Sequence, residues 1–224
     1  MKNSQRKYCQ YLIDFYTSAD VQEYFDDFER FIGPLPQESK ILDLGCGIGH
    51  FSHRLIQKGY EVISLDINDY ALHYGKKRGW INQAIAASCD QIPQPDRSFD
   101  CVFFLDVVEH LPQPEAALKE IKRVMKTTGK LFLITPNAFY GRLFGDKGEI
   151  DPTHVHEFGW WELKKILQKN GFKIIQAQAS GLPLVNRLSH RLSRKMAKIF
   201  GPIVLPIASP SFWIEAAIKK GKNE

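Results

Sequence analysis

The chain has little cysteine, and none of it in a metal-binding spacing. Its four cysteines, Cys9, Cys46, Cys89 and Cys101, form no C-x-x-C pair. That excludes a zinc ribbon and a dense disulfide scaffold, and it leaves reduced, mostly buried thiols as the expectation for a cytoplasmic protein. Long apolar runs are missing too. The longest, from Ile199 to Ala208, is broken by Pro202 and Pro206, whereas a bilayer span needs about 20 apolar residues. The opening stretch, Met1-Lys-Asn-Ser-Gln-Arg-Lys-Tyr8, lacks the apolar core of an export signal. There is no internal repeat and no low-complexity segment. Over most of its length the chain also lacks an excess of either charge. Its net charge is +5, but eight lysines and arginines against two glutamates lie from Arg187 onward. A near-neutral body argues against a basic groove for nucleic acid. The basic tail points instead to a local anionic partner.

What is present is an ordinary globular balance, with 44% hydrophobic and 25% charged residues over 224 positions. That length suits one domain with a full core. Apolar strands alternate with helical stretches. Strands are expected at 40–44, 61–65, 84–87, 99–105, 130–135, 172–177 and 212–218. Helices are expected at 20–31, 49–57, from Asn68 or Asp69 to Gly79, 114–125 and 160–170. Asp20-Val-Gln-Glu23 reads as a capping box opening the first of these. The alternation predicts an α/β fold: a doubly wound, mostly parallel seven-stranded sheet with an N-terminal helix and a helical insertion before the last strand. The expected organisation is a helical cap over 1–36, a core over 37–180, a basic amphipathic insertion over 181–210, and a last strand and tail over 211–224. In such sheets ligands lie beyond the carboxyl ends of the strands.

The first strand runs into Asp43-Leu-Gly45-Cys46-Gly47-Ile-Gly49-His50. Glycines allow a tight turn and close approach of a ligand to the backbone, and the helix that follows offers free N–H groups. The second strand ends on Asp66, where a carboxylate can accept both hydroxyls of a ribose. The spacing is G-x-G-x-G. The dinucleotide pattern G-x-G-x-x-G would need glycine at His50 or Ser52, so a nicotinamide-dependent oxidoreductase is the disfavoured alternative.

Ile41-Leu-Asp-Leu-Gly-Cys-Gly-Ile-Gly49 resembles the first motif of class I S-adenosylmethionine-dependent methyltransferases. Cys89-Asp90-Gln91-Ile-Pro93, Phe104-Leu105-Asp106-Val-Val-Glu109-His110-Leu111 and Gly129-Lys-Leu-Phe-Leu-Ile-Thr135-Pro136-Asn137 resemble later motifs in the family's order. The resemblance covers about residues 40–175. It implies a Rossmann-like methyltransferase fold that binds S-adenosylmethionine and releases S-adenosylhomocysteine. It also implies that Asp43, Gly45, Cys46, Gly47 and Gly49 surround the methionine portion, that Asp66 holds the ribose with Ile67 beside it, and that Asp90 and Gln91 meet the adenine. Leu105 closes the pocket at the end of the fourth strand. The non-catalytic alternative is a protein that keeps the cofactor site without turnover.

Methyl transfer from a sulfonium is an in-line displacement with a good leaving group, so alignment and removal of one proton suffice. Asp106, at the end of the fourth strand, and His154, in the loop after the fifth, are the candidate catalytic residues. A neutral imidazole suits a hydroxyl acceptor. His154 stays open between base and loop pin, while His156 reads better as a pin. Asp151, His154 and His156 match a metal set in type, but such groupings recur by chance, and no metal is expected. The Asn/Asp-Pro-Pro-Tyr/Phe motif of nucleic-acid amino methyltransferases has no counterpart, since the corresponding place reads Leu105-Asp-Val-Val. The likeness is to the small-molecule branch, which includes ubiquinone-pathway and sugar or lipid-linked O-methyltransferases. A small or lipid-linked acceptor is therefore expected, and nucleic acid is not.

Val185, Leu188, Leu192, Met196 and Ile199 recur at helical spacing, with Arg187, Arg191, Arg194 and Lys198 forming a second stripe. This basic amphipathic segment suits either a lid or peripheral contact with anionic membrane through 185–208, at the inner face of the membrane. The N-terminal aromatics Tyr8, Tyr11, Phe15, Tyr16, Tyr24 and Phe25 either line the acceptor side or pack the core.

Overall fold

A computed structural model describes residues 2–138, 153–180 and 211–219. The elements run in the order α1 (Lys2–Tyr16), α2 (Ala19–Ile32), β1 (Lys40–Leu44), α3 (His50–Gln57), β2 (Glu61–Asp66), α4 (Asp69–Lys77), β3 (Gln83–Ala86) and β4 (Phe99–Leu105). A short 3-10 turn (Val108–His110) follows, then α5 (Pro114–Val124), β5 (Met125–Pro136), α6 (Trp160–Lys169), β6 (Phe172–Ser180) and β7 (Ser211–Ile218). The seven strands form one sheet in the order β3-β2-β1-β4-β5-β7-β6. β1 pairs in parallel with β2 and β4, and β2 with β3. β6 and β7 pair antiparallel. The expected doubly wound sheet is therefore present.

The chain divides into two compact units, Met1–Phe103 with Lys119–Lys130, and Phe104–Leu118 with Leu131–Glu224. In the first, β1 is buried from Ile41 to Leu44, as continuous apolar strands of parallel sheets are. Phe51 and Phe103 pack with ring centroids 5.1 Å apart, and Phe28 meets Phe103 edge-on at 6.5 Å. In the second, Leu131–Ile134, Phe158, Leu163, Leu167, Phe172 and Phe212–Ile214 are buried.

Two local expectations need correction. The helix expected to open at a capping box begins at Ala19, with Ser18 at the N-cap position. The Ser18 hydroxyl donates to the Phe15 carbonyl instead, closing the turn after α1. α1 itself carries no strong end signals, and the sequence marked it only as part of a helical cap. β5 begins at Met125, whereas the helix was expected to run to 125 and the strand to start at 130. A Cβ on Gly129 would lie 3.1 Å from the Phe99 carbonyl and 3.2 Å from that of Asp100. The glycine thus admits a close pass of β4 and lets the strand run on. Residues 185–208 lie outside the described residues, as do Asp151 and the Tyr8 side chain.

Candidate active site

In the first unit, the turn after β1 brings its glycines to the end of β2. The N–H groups of Gly45 and Cys46 donate to the Leu65 carbonyl at 2.7 and 3.1 Å. The Gly47 N–H donates to Asp66 Oδ2 at 2.7 Å, and the Asn68 N–H to Asp66 Oδ1 at 2.7 Å. Asp66 therefore joins the glycine loop to the start of α4, where Asn68 caps the helix by accepting from the Ala71 N–H. Each carboxylate oxygen keeps a further lone pair for a ligand hydroxyl. Ile67 follows with 78% of its surface in solvent, an apolar side chain beside a hydrogen-bonding acid.

Close packing fixes this loop. Gly49 has φ 77°, in the left-handed region that glycine tolerates, and a Cβ there would overlap Ile81. A Cβ on Gly75 of α4 would lie 2.3 Å from the Ile48 carbonyl. Over the loop, Leu12 of α1 lies 3.7 Å from where a Gly47 Cβ would stand. The glycine loop is thus pressed between α4 and α1.

Asp43 sits behind the loop. It accepts from Ser52 Oγ at 2.6 Å, and Ser52 in turn meets Ser64 at 2.7 Å. Burial pushes its carboxyl up to about 6, the Ser52 hydrogen bond opposes the rise, and the Asp66 charge adds to it. His50, the first residue of α3, is stacked on Tyr16 at 5.1 Å, flanked by Phe25 and met edge-on by Trp80. Its Nε2 lies 3.0 Å from Gln22 Nε2, which can only donate. Burial lowers its pKa to about 4, with Arg54 and His53 adding to the fall. Tyr16 and Phe25 thus pack the core, while Tyr11 and Phe15 are exposed.

Asp90 and Gln91 are exposed on the loop after β3, where the Gln91 N–H donates to the Ser88 carbonyl. Sequence reading missed what holds this loop. Arg123 of α5 donates to the carbonyls of Ile92 and Gln94 and to Asp96, each at 2.8 Å. It is gripped from behind by both oxygens of Glu120 at 2.7 Å. Glu120 also accepts from the Ile92 N–H at 3.0 Å. An i,i+3 charge pair on a helix was the only signal, and such pairs are too common to single out. Asp100, near the start of β4, accepts from the Lys40 N–H and from Lys126.

In the second unit, Leu105 is half-buried at the end of β4, and Asp106 follows with φ 53°, a strained value for a residue with a side chain. Its N–H donates to the Ile134 carbonyl at 3.0 Å. Asp106 is exposed, yet its surroundings displace enough water to raise its carboxyl. Glu109 adds to the rise and His110 opposes it. Glu109 is buried and accepts from Thr135 Oγ1 at 3.1 Å. The N–H groups of Val155 and His156 both donate to the Glu109 carbonyl, which ties the segment after residue 152 to the turn. His154 packs its ring edge-on against His110 at 4.7 Å. His156 turns to Phe158 and the Pro112 carbonyl. The two histidines that alternation would place together have different neighbours.

Residues 16–177 match the methyltransferase domain family, and the chain belongs to that family. Its fold is that of class I S-adenosylmethionine-dependent methyltransferases. A crystallised SAM-dependent methyltransferase from Archaeoglobus fulgidus superposes with a TM-score of 0.70 at 23% identity, covering 94% of this chain and 99% of that one. The chain is 34% identical over 106 residues to a ubiquinone biosynthesis O-methyltransferase of Idiomarina loihiensis, covering 44% of this chain and 42% of that protein. It is 34% identical over 97 residues to a sterol 24-C-methyltransferase of Yarrowia lipolytica, covering 40% of this chain and 26% of that protein. The chain therefore spans about half the length, or less, of the curated relatives it matches. These matches do not favour the nicotinamide alternative. No helix among the described residues is long and apolar enough to cross a membrane.

Proposed function

We propose that the chain transfers the methyl group of S-adenosylmethionine to an oxygen of a small or lipid-linked acceptor. The carbon–sulfur bond breaks as the carbon–oxygen bond forms in line with it. S-adenosylhomocysteine leaves, and the acceptor hydroxyl gives up its proton. The observation that carries the reading is the Asp66 carboxylate held at 2.7 Å from the Gly47 N–H. It sets a ribose acceptor beside a glycine turn and the start of α3, which suit the methionine portion.

In this reading Asp43, Gly45, Cys46, Gly47 and Gly49 form the methionine end. Asp66 takes the ribose, Ile67 covers an adenine face, Asp90 and Gln91 read its amino edge, and Leu105 bounds the pocket. Asp106 and His154 serve the acceptor. A hydroxyl must lose a proton during transfer, and a carboxylate and an imidazole beside the site suit a hydroxyl better than a hydrocarbon acceptor. The relatives include methyltransferases named for transfer to oxygen and to carbon, so the methylated atom is tested directly. Incubation with S-adenosylmethionine carrying a 13C-methyl group and a panel of phenols and hydroxylated isoprenoids is expected to give a methoxy carbon signal. Turnover confined to carbon or nitrogen methylation would refute the oxygen assignment.

The basic stretch 185–208 supports peripheral contact with an anionic membrane. Sedimentation with vesicles containing anionic lipid at low salt is expected. Protein that stays in the supernatant there would remove that part of the proposal.

A further inference from the structure

We propose that Glu109, His110 and His154 bind a divalent transition-metal ion of the zinc type, with at least one coordination position left open. One ligand atom from each residue lies within 4.8 Å of the others. A tetrahedral shell with bonds of about 2.1 Å sets its ligand atoms about 3.4 Å apart. Closing the set therefore needs movements of about 1 Å, which the two half-buried imidazoles can supply by rotation.

The surroundings already orient the ligands. His110 Nδ1 lies 3.2 Å from the Thr153 carbonyl. The Thr153 hydroxyl lies 3.1 Å from the same nitrogen, so Thr153 holds the ring through Nδ1, and with Nδ1 donating to the carbonyl the lone pair of the neutral ring is on Nε2. Metal-ligating histidines commonly donate their other N–H to such a group. Glu109 is 2% exposed, and its carboxylate is fixed by the Thr135 hydroxyl. The third ligand is delivered by two main-chain hydrogen bonds, from Val155 and His156 to the Glu109 carbonyl. The ligand set thus joins adjacent residues of one turn to a histidine that the same turn anchors.

Two imidazoles and one carboxylate favour zinc, iron(II) or cobalt over magnesium or calcium. Three protein ligands leave room for water or an acceptor oxygen, whose pKa the ion would lower. This last consequence rests on the methyl-transfer reading, and ion binding does not. With the ion in place, the His154 lone pair is taken, and the ion rather than the free imidazole promotes loss of the hydroxyl proton.

The test uses the full chain, stripped with chelator and titrated with zinc chloride by calorimetry, with cobalt(II) absorption as a report on geometry. One-to-one zinc binding at micromolar affinity or tighter is expected. It should be weakened by about 100-fold or more in His154→Ala and in His110→Ala, since even second-shell changes cost 10–100-fold, and unchanged in His156→Ala. Circular dichroism on each variant separates a lost ligand from a lost fold, and Glu109→Gln offers a third, near-isosteric probe. No zinc binding by the wild type, or equal binding by His110→Ala and His154→Ala, would overturn the proposal. S-adenosylmethionine titrated into the same samples keeps the two readings apart, because cofactor binding without zinc binding refutes only the metal site.

Discussion

Asp43 holds a carboxyl with 3% of its surface in solvent directly behind the glycine loop. Its pKa is raised to about 6 from an ordinary value of 3.8. A raised carboxyl pKa means that the folded state favours the protonated form. The stability this contributes is full below pH 3.8 and is lost as pH rises through about 6. At two units the effect is about 3 kcal/mol. His50 has the opposite sign, since a pKa lowered to about 4 from 6.5 gives stability present above 6.5 and lost as pH falls through 4. The two windows overlap, so the wild-type profile between pH 4 and 6.5 is expected to be shallow. Asp43→Asn keeps an acceptor for Ser52 and removes the titration. Thermal melts are expected to show this variant gaining on the wild type by about 2–3 kcal/mol from pH 4 to 6.5. A constant difference across that range would show that Asp43 does not titrate as described.

At the scale of elements, α5 acts on a loop it does not adjoin in sequence. The Arg123–Glu120 pair grips the stretch from Ile92 to Asp96 through main-chain atoms, so the placement of Asp90 and Gln91 depends on it. Arg123→Ala is expected to weaken S-adenosylmethionine binding about 5–10-fold while lowering stability by about 1 kcal/mol, the net worth of a few partly exposed hydrogen bonds. Calorimetry and a melt read the two effects separately. Arg123→Lys is expected to recover stability more than affinity, because a single ammonium cannot reproduce the fork that reaches two carbonyls at once. Equal loss of both in the two variants would assign Arg123 a purely structural role. Strand and helix order was legible in the sequence because parallel strands are continuously apolar and their helices end on glycine, as at Gly59, Gly79 and Gly171. Helix starts were less legible. Ser18 has the chemistry of a cap and uses it on the preceding turn, and nothing in the sequence distinguishes the two uses.

At the scale of the whole molecule, the family and the glycine turn were readable from ordered local motifs, each a few residues long. The cluster after β4 was not, because its residues come together only through the fold. Asp106 shows its strain only in φ, and His154 meets His110 across 43 intervening residues. The central claim is that Gly45–Gly49 and Asp66 hold S-adenosylmethionine. Its most direct test is calorimetric titration of the purified chain with S-adenosylmethionine, S-adenosylhomocysteine and NAD, repeated on Asp66→Ala and on Asp66→Asn, which keeps the bulk of the side chain. Micromolar binding of the first two and none of NAD is expected. The affinity should fall by about 30-fold or more in both variants, as the loss of two charge-assisted hydrogen bonds requires. Binding of NAD alone, or undiminished S-adenosylmethionine binding in folded variants at Asp66, would contradict it.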